Sequence, residues 1–279
     1  MSGASPPVAM FDSGVGGLTV LHECLVSLPQ EDFLYLGDTE WFPYGSRDTE
    51  RLRARIARIA ELLLERGAKL LVIACNTATA VGEEIAREVA AERGVEVVSV
   101  VYPQAEIAAA ITANGRVGVL ATPNTVESGS YRRALESQGR GLDVIEVAAP
   151  ELAPFIQDGS LFDEETMAMA RTCCAPLKQA GVDTLILGCT HYPLVSPMLQ
   201  RILGRDVRLV AGGHAVAAAV QRTLERDGIA RPADGPEGVY DFLCSGDAAA
   251  FREVGTRFLQ MPLGEVERIE IDAVTDSRA

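Results

Sequence analysis

Two cysteines stand in near-copies of one another. Lys69-Leu-Leu-Val-Ile-Ala-Cys75-Asn76-Thr77 recurs as Asp183-Thr-Leu-Ile-Leu-Gly-Cys189-Thr190-His191. In each, an apolar run of strand length ends in a small residue, then a thiol, then hydrogen-bonding side chains. In an α/β protein this is where a parallel strand empties into a ligand-binding loop. Two equivalent thiols from two parts of one chain point to a single site approached from both sides. A thiolate can act as a base, and strand-exit amides and helix N-termini are expected to lower these pKa values toward neutrality from about 8.5. His191, two residues beyond Cys189, is placed to accept or hold its proton.

A second pair of segments supports a duplication. Pro7-Val-Ala-Met-Phe-Asp12-Ser13-Gly14 is matched by Arg116-Val-Gly-Val-Leu-Ala-Thr122-Pro-Asn-Thr125, and both repeats share an offset of about 110 residues. Asp12-Ser13-Gly14-Val15-Gly16-Gly17 follows a strand and opens a helix, so its glycines let backbone approach a ligand and its amides suit an anion. The same residues also suit a plain strand–helix turn capped by Asp or Ser. Neither GxGxxG nor a P-loop lysine is present, which argues against a nucleotide. Phe42-Pro43-Tyr44-Gly45 reads as a rigid loop. Cys24, Cys173, Cys174 and Cys244 fall in helix or strand patterns and read as structural. His22 and Cys24 diverge on a helix, so no metal site is expected.

These groups have to be positioned by alternating strands and helices. Strands are expected at Val8–Phe11, Phe33–Leu36, Leu70–Ala74, Val95–Val101, Val117–Leu120, Val144–Val147, Thr184–Leu187, Arg208–Val210, Tyr240–Leu243 and Val266–Ile271. Between them lie amphipathic helices such as 49–66, with Leu52, Ile56, Ile59 and Leu63 on one face and Gly67 as a stop. Gly94 and Gly181 stop later helices in the same way. The pattern predicts an α/β fold of two pseudo-symmetric, doubly wound, mainly parallel-sheet domains with the active site at their interface. The first domain is expected over 1–96 with 210–279 returning to complete it, and the second over 97–209. The two are expected to meet across polar loop ends rather than one continuous core. The best surface-loop candidate is 231–238.

Composition bounds the rest. With 279 residues, 48% hydrophobic and 23% charged, the chain reads as globular. A formal net charge of −14 argues against nucleic acid or an anionic membrane as the main partner. No apolar run approaches the roughly 18 residues of a membrane span, and the N-terminus lacks a signal-peptide pattern. Six cysteines without CxxC spacing fit reduced thiols in a cytoplasm.

Taken together, Phe11-Asp12-Ser13-Gly14-Val15-Gly16-Gly17-Leu18, Gly37-Asp38-Thr39…Pro43-Tyr44-Gly45, Ala74-Cys75-Asn76-Thr77-Ala78, Thr122…Thr125…Ser128-Gly129…Tyr131 and Gly188-Cys189-Thr190-His191-Tyr192-Pro193-Leu194 resemble the glutamate racemases of the aspartate/glutamate racemase family. Ser245-Gly246-Asp247…Phe251…Phe258-Leu259 resembles the family's tail. The resemblance implies a cytoplasmic isomerase that interconverts L- and D-glutamate without cofactor or metal and supplies D-glutamate to peptidoglycan, with room for a homodimer. It implies that Cys75 and Cys189 flank the substrate α-carbon, assisted by Asp12 and His191. Substrate contacts are implied for Asp12, Ser13, Tyr44, Gly45, Asn76, Thr77, Thr125, Thr190 and His191. Three positions depart from the common pattern: Trp41 stands where many members carry Arg, His214 replaces an Asp-containing turn, and Gln157 or Glu151 stands for a Glu that assists the histidine. The alternatives are an aspartate or broad-specificity racemase, a dithiol oxidoreductase, and a glutamate-binding regulator without turnover.

Overall fold

The computed structural model describes residues 5–272. The chain runs β1 (Val8–Asp12), α1 (Leu18–Ser27), β2 (Phe33–Gly37), α2 (Thr49–Glu65), β3 (Leu70–Ile73), α3 (Asn76–Ala91), β4 (Glu96–Ser99) and α4 (Val101–Ile111). It continues through β5 (Arg116–Ala121), α5 (Pro123–Ser128), α6 (Ser130–Glu136), β6 (Asp143–Ala148), α7 (Leu152–Asp158), α8 (Glu164–Gln179) and β7 (Thr184–Gly188). Then come α9 (Ser196–Leu203), β8 (Arg208–Val210), α10 (Gly212–Arg226), β9 (Tyr240–Cys244), α11 (Ala248–Leu259) and β10 (Val266–Arg268). A strand lies at each of the ten expected places, although β10 stops at Arg268 and β4 at Ser99, where Val100 caps and Val101 opens α4 instead of extending the strand.

The strands form two separate sheets, ordered β10-β9-β2-β1-β3-β4 and β6-β5-β7-β8, with every pairing parallel. The four-strand order of the second sheet repeats that of β2-β1-β3-β4 in the first, so the duplicated segments occupy equivalent places. In such a sheet, successive connections leave the first strand in opposite directions and open a crevice at the strand ends. That crevice lies between β1 and β3 in one sheet and between β5 and β7 in the other.

Two boundaries differ from expectation. β4 pairs with β3 from Glu96 to Ser99, so the first sheet extends past residue 96. Val97 and Val98 are buried there, which holds the strand to the sheet. β8 likewise carries Val210 against Ile186 of β7.

Burial follows the two-residue strand period. Along β1, Ala9 and Phe11 face Leu52, Ile56 and Ile59 of α2, while Val8 and Met10 face the side that packs α1 and α10. The latter side belongs to one apolar cluster that runs on through Val100 and Val101 to Val117, Val119 and Leu185 of the second sheet. A continuous core therefore joins the halves behind the strand exits, where none was expected. The apolar faces of α1, α4 and α10 cover one another and leave the polar residues to the opposite side.

One buried ion pair shapes the front. Arg55 of α2 donates from Nε and Nη2 to Asp38 at 2.9 and 2.7 Å, and Asp38 also accepts from Ser245 Oγ at 2.6 Å and Tyr44 Oη at 2.5 Å. A carboxylate with that many donors is well compensated for losing water. It ties the end of β2 to α2, to the β9 exit and to the loop carrying Tyr44. The loop at 231–238 is fastened to the opposite end of the first sheet by an ion pair from Arg231 to Asp32. No helix of the described residues is long and apolar enough to cross a membrane.

Candidate active site

The two crevices face one another, and a single cavity of about 20 Å³ lies between them. Its lining includes Ser13 and Cys75 from the first sheet's exits, Thr122, Cys189, Thr190 and His191 from the second's, and the Phe42–Gly45 loop. Cys75 and Cys189, read from the repeat, thus open onto the same space.

Cys75 is the N-cap of α3 and accepts the Ala78 amide at 3.4 Å on its sulfur. Its thiol also lies 3.8 Å from Ser13 Oγ, and Ser13 donates toward Asp12 Oδ1 at 3.4 Å. Asp12 is fully buried; it accepts Gly14 N at 2.9 Å and Thr190 Oγ1 at 3.0 Å. The loop amide expected to attract an external anion is therefore directed at the chain's own carboxylate. Gly16 is required by this closeness, since a Cβ there would stand 2.3 Å from Thr190 Oγ1 and 2.4 Å from His191 Nδ1.

On the other side, Cys189 Sγ lies 3.8 Å from His191 Nδ1. His191 Nε2 meets Gln157 Oε1 at 3.1 Å, and its ring packs 5.3 Å from Phe42 and 5.1 Å from Phe258. Gln157, at the end of α7, is thus the residue on the histidine, whereas Glu151 is exposed at the start of that helix. With Gln157 Oε1 facing Nε2, a neutral imidazole protonated on Nε2 satisfies that amide and presents its Nδ1 to the thiol.

The seam between the halves is polar and its partners cross it. Asn76 Nδ2 donates to Gln104 Oε1 at 3.0 Å and Tyr131 Oη at 2.6 Å, while Gln104 Nε2 donates to the carbonyls of Leu187 and Val210. Thr77 Oγ1 lies 2.9 Å from Thr122 Oγ1, which lies 3.0 Å from Thr125 Oγ1. Thr125 itself is fully buried behind Thr122. Tyr44 spends its hydroxyl on Asp38, while Gly45 packs so closely on Thr122 that a Cβ would stand 2.6 Å from that side chain's Cβ.

Thr122 was missed, although the repeat places it where Ser13 stands in the first half. Gln104 and Tyr131 were missed as site-supporting residues. Tyr131 lay inside a recognised motif, but a glutamine on α4 carries no local signal. Trp41 is half-buried among the Arg47, Arg51 and Arg55 guanidinium groups, 5.1 to 5.8 Å from its ring. His214 is exposed and pairs with Glu23 at 2.7 Å, away from the cavity. All six cysteines are free. Among the described residues, no group of three or more His, Cys, Asp or Glu side chains is arranged to hold a metal ion.

Burial decides the protonation states. The expectation of lowered thiol pKa values fails: Cys75 is pushed up to about 12, first by desolvation and then by Asp12. Its hydrogen bonds from Ala78 and Ser13 offset this only in part. Cys189 is pushed up by the same desolvation. Asp12 is raised by burial against its donors, and burial lowers His191 to about 3. Both thiols and the imidazole therefore rest neutral.

A lowered histidine pKa has a stability consequence. Below 6.5 the unfolded chain takes up a proton that the native chain refuses, so stability is present above that pH and is lost as pH falls toward about 3. In urea titrations the protein should lose about 1.5 kcal/mol more than His191→Asn between pH 6.5 and about pH 5. Equal losses would show that the imidazole is not buried as the neutral form.

Comparisons with known proteins agree with this geometry. The profile of the Asp/Glu/Hydantoin racemase family matches residues 22–220. A glutamate racemase of Geobacter metallireducens is 40% identical over 95% of this chain and 97% of its own. The crystal structure of a Bacillus anthracis glutamate racemase superposes with a TM-score of 0.88 at 32% identity, covering 95% of this chain and 98% of that one. A Francisella tularensis glutamate racemase, solved in complex with D-glutamate, gives 0.89 at 27% identity over 96% and 98%. With its duplicated parallel sheets and facing thiols, the chain belongs to the aspartate/glutamate racemase family.

Proposed function

We propose that the chain interconverts L- and D-glutamate by a two-base reaction, in which one of Cys75 and Cys189 removes the α-proton while the other delivers a proton to the opposite face, without metal, nucleotide or pyridoxal cofactor. The observation that carries this reading is the pair of thiols, from equivalent strand exits of two repeated sheets, lining one cavity. Glutamate is favoured as substrate by the curated relatives and by the D-glutamate complex of the Francisella tularensis enzyme. Racemisation at a carbon needs a base on one face and an acid on the other. Cys75 thiolate removes the proton from D-glutamate while the Cys189 thiol protonates the opposite face, and the roles reverse for L-glutamate.

Because both thiols rest neutral, one must first lose its proton. Cys75 can pass its own through Ser13 toward Asp12, whose raised pKa makes it the more willing acceptor. Cys189 faces the Nδ1 lone pair of His191. The substrate ammonium supplies a positive charge that favours the thiolate. An α-carbon proton is far less acidic than a thiol, so the developing carbanion must be stabilised through its carboxylate. The hydroxyls of Thr77 and Thr122, bonded only to each other and to Thr125, and the first-turn amides of α3 are the donors that can turn to that task. Thr125 acts through Thr122, and Tyr44 and Gly45 offer backbone. Six cysteines without CxxC spacing suit a cytoplasmic enzyme, and the D-glutamate made there would serve peptidoglycan.

The purified protein should racemise either enantiomer to an equal mixture, followed by circular dichroism, in buffer treated with chelator. Activity that disappears on dialysis and returns with an added cofactor would refute the reading.

The two thiols should be separable by direction. Cys75→Ser and Cys189→Ser should each lose nearly all racemisation. In deuterium oxide, the Cys189 variant should still exchange the α-proton of D-glutamate and the Cys75 variant that of L-glutamate. Full activity in either single variant contradicts the two-base scheme.

A cavity of about 20 Å³ accommodates little more than a water molecule, so a five-carbon dicarboxylate enters only when the halves part. The polar front opens while the continuous apolar side serves as the hinge, and closure then excludes water from the reacting carbon. Fluorescence of Trp41, the single tryptophan, should change with D-glutamate in step with saturation of turnover. A silent Trp41 together with unchanged small-angle scattering counts against closure.

A further inference from the structure

We propose that Asn124 is a positioning residue that latches the Tyr44–Gly45 loop of the first half onto the second half and so sets the affinity for substrate. The proposal rests on the glutamate reading for its kinetic arm only. Asn124 lies in the first turn of α5 and is 7% exposed. Its side-chain nitrogen donates to Tyr44 O at 3.0 Å and to Arg47 O at 2.8 Å. These carbonyls bracket the short 3-10 turn Tyr44–Ser46, so one amide spans that turn from the opposite side of the seam.

The loop has two anchors of different kinds. Tyr44 Oη binds Asp38, which Arg55 holds within the first half. Asn124 comes from the second half, beside Thr122, against which Gly45 is packed. When the halves separate, the Asp38 anchor survives and the Asn124 bonds break. The residue therefore favours the closed arrangement, in which Tyr44 and Gly45 line the cavity with both thiols. Removing it shifts the balance toward the open form, and substrate must then contribute more to closing it. The closed geometry, once reached, is unchanged, so the loss falls on KM.

The test compares two variants that separate hydrogen bonding from packing. Asn124→Ala removes both donors and leaves a small void. Asn124→Asp keeps the shape but sets a carboxylate against two carbonyl oxygens. We expect KM for both enantiomers to rise about tenfold in Asn124→Ala and further in Asn124→Asp, with kcat held within about threefold. A packing role alone predicts the reverse order, because Asp preserves the volume that Ala deletes.

A second readout needs no substrate. Arg47 donates to Trp41 O at 3.1 Å and its guanidinium lies over the indole ring, so releasing Arg47 O should increase acrylamide quenching of Trp41. Unchanged quenching in both variants overturns the latch, as does Asn124→Ala raising KM as much as Asn124→Asp. Where Asn124→Asp does not fold, Asn124→Ala decides, and a KM within twofold of the parent value overturns the proposal. If the parent protein fails to racemise glutamate, that reading falls while the quenching comparison still decides the latch.

Discussion

Polar groups taken out of water have to find partners, and at this site several of those partners lie in the other half of the molecule. Asp12 is completed by Thr190, Asn76 by Gln104 and Tyr131, and Thr77 by Thr122 and Thr125. A buried donor or acceptor left unmatched costs about 1–3 kcal/mol, so a slip of one sheet against the other would expose several such costs together. The demand for mutual satisfaction fixes the register in which the strand exits meet. The thiols inherit their opposition from that register, since neither cysteine touches the other sheet's backbone through a bond of its own.

The same dryness shapes the chemistry. Water near the sulfur atoms would ease ionisation but would also weaken every hydrogen bond meant for a developing charge. Here both thiols and the imidazole rest neutral, and burial outweighs the helix terminus at Cys75. The positive charge that favours a thiolate is thus to be brought in by the substrate ammonium rather than stored on the histidine. Keeping the imidazole neutral serves the same end, because a permanent cation beside Cys189 would bias one face of the carbon before any proton had moved.

Much of this was legible in the sequence because it is local. Apolar runs of four to six residues mark the strands, and glycines after helices mark their ends; Gly67, Gly94 and Gly181 all have positive φ. The repeat of Ala-Cys-Asn-Thr as Gly-Cys-Thr-His picked out the two thiols that line one cavity. What could not be read depends on which distant surfaces meet. Nothing around Gln104 announces that its amide bridges Asn76 to the carbonyls of Leu187 and Val210. The continuous core was missed because the apolar stripes of α1, α4 and α10 do not say what will cover them. The direction of the thiol shifts was missed because hydrogen-bond donors can be guessed from neighbours in sequence, whereas depth of burial cannot.

Although the scaffold is duplicated, the groups behind the two sulfur atoms are not. Cys75 backs onto a hydroxyl and a carboxylate, Cys189 onto an aromatic base held by an amide. Mirror-image molecules have equal free energies in water, so on the proposed chemistry kcat/KM has to be the same whichever enantiomer is supplied. The protein's handedness cannot appear in that ratio. It is confined to the bound complexes, where the enantiomers are no longer mirror images of one another and one can dwell longer than the other. A nearly symmetric fold thus serves a reaction with no thermodynamic direction, while its dissimilar proton acceptors leave each enantiomer its own residence time.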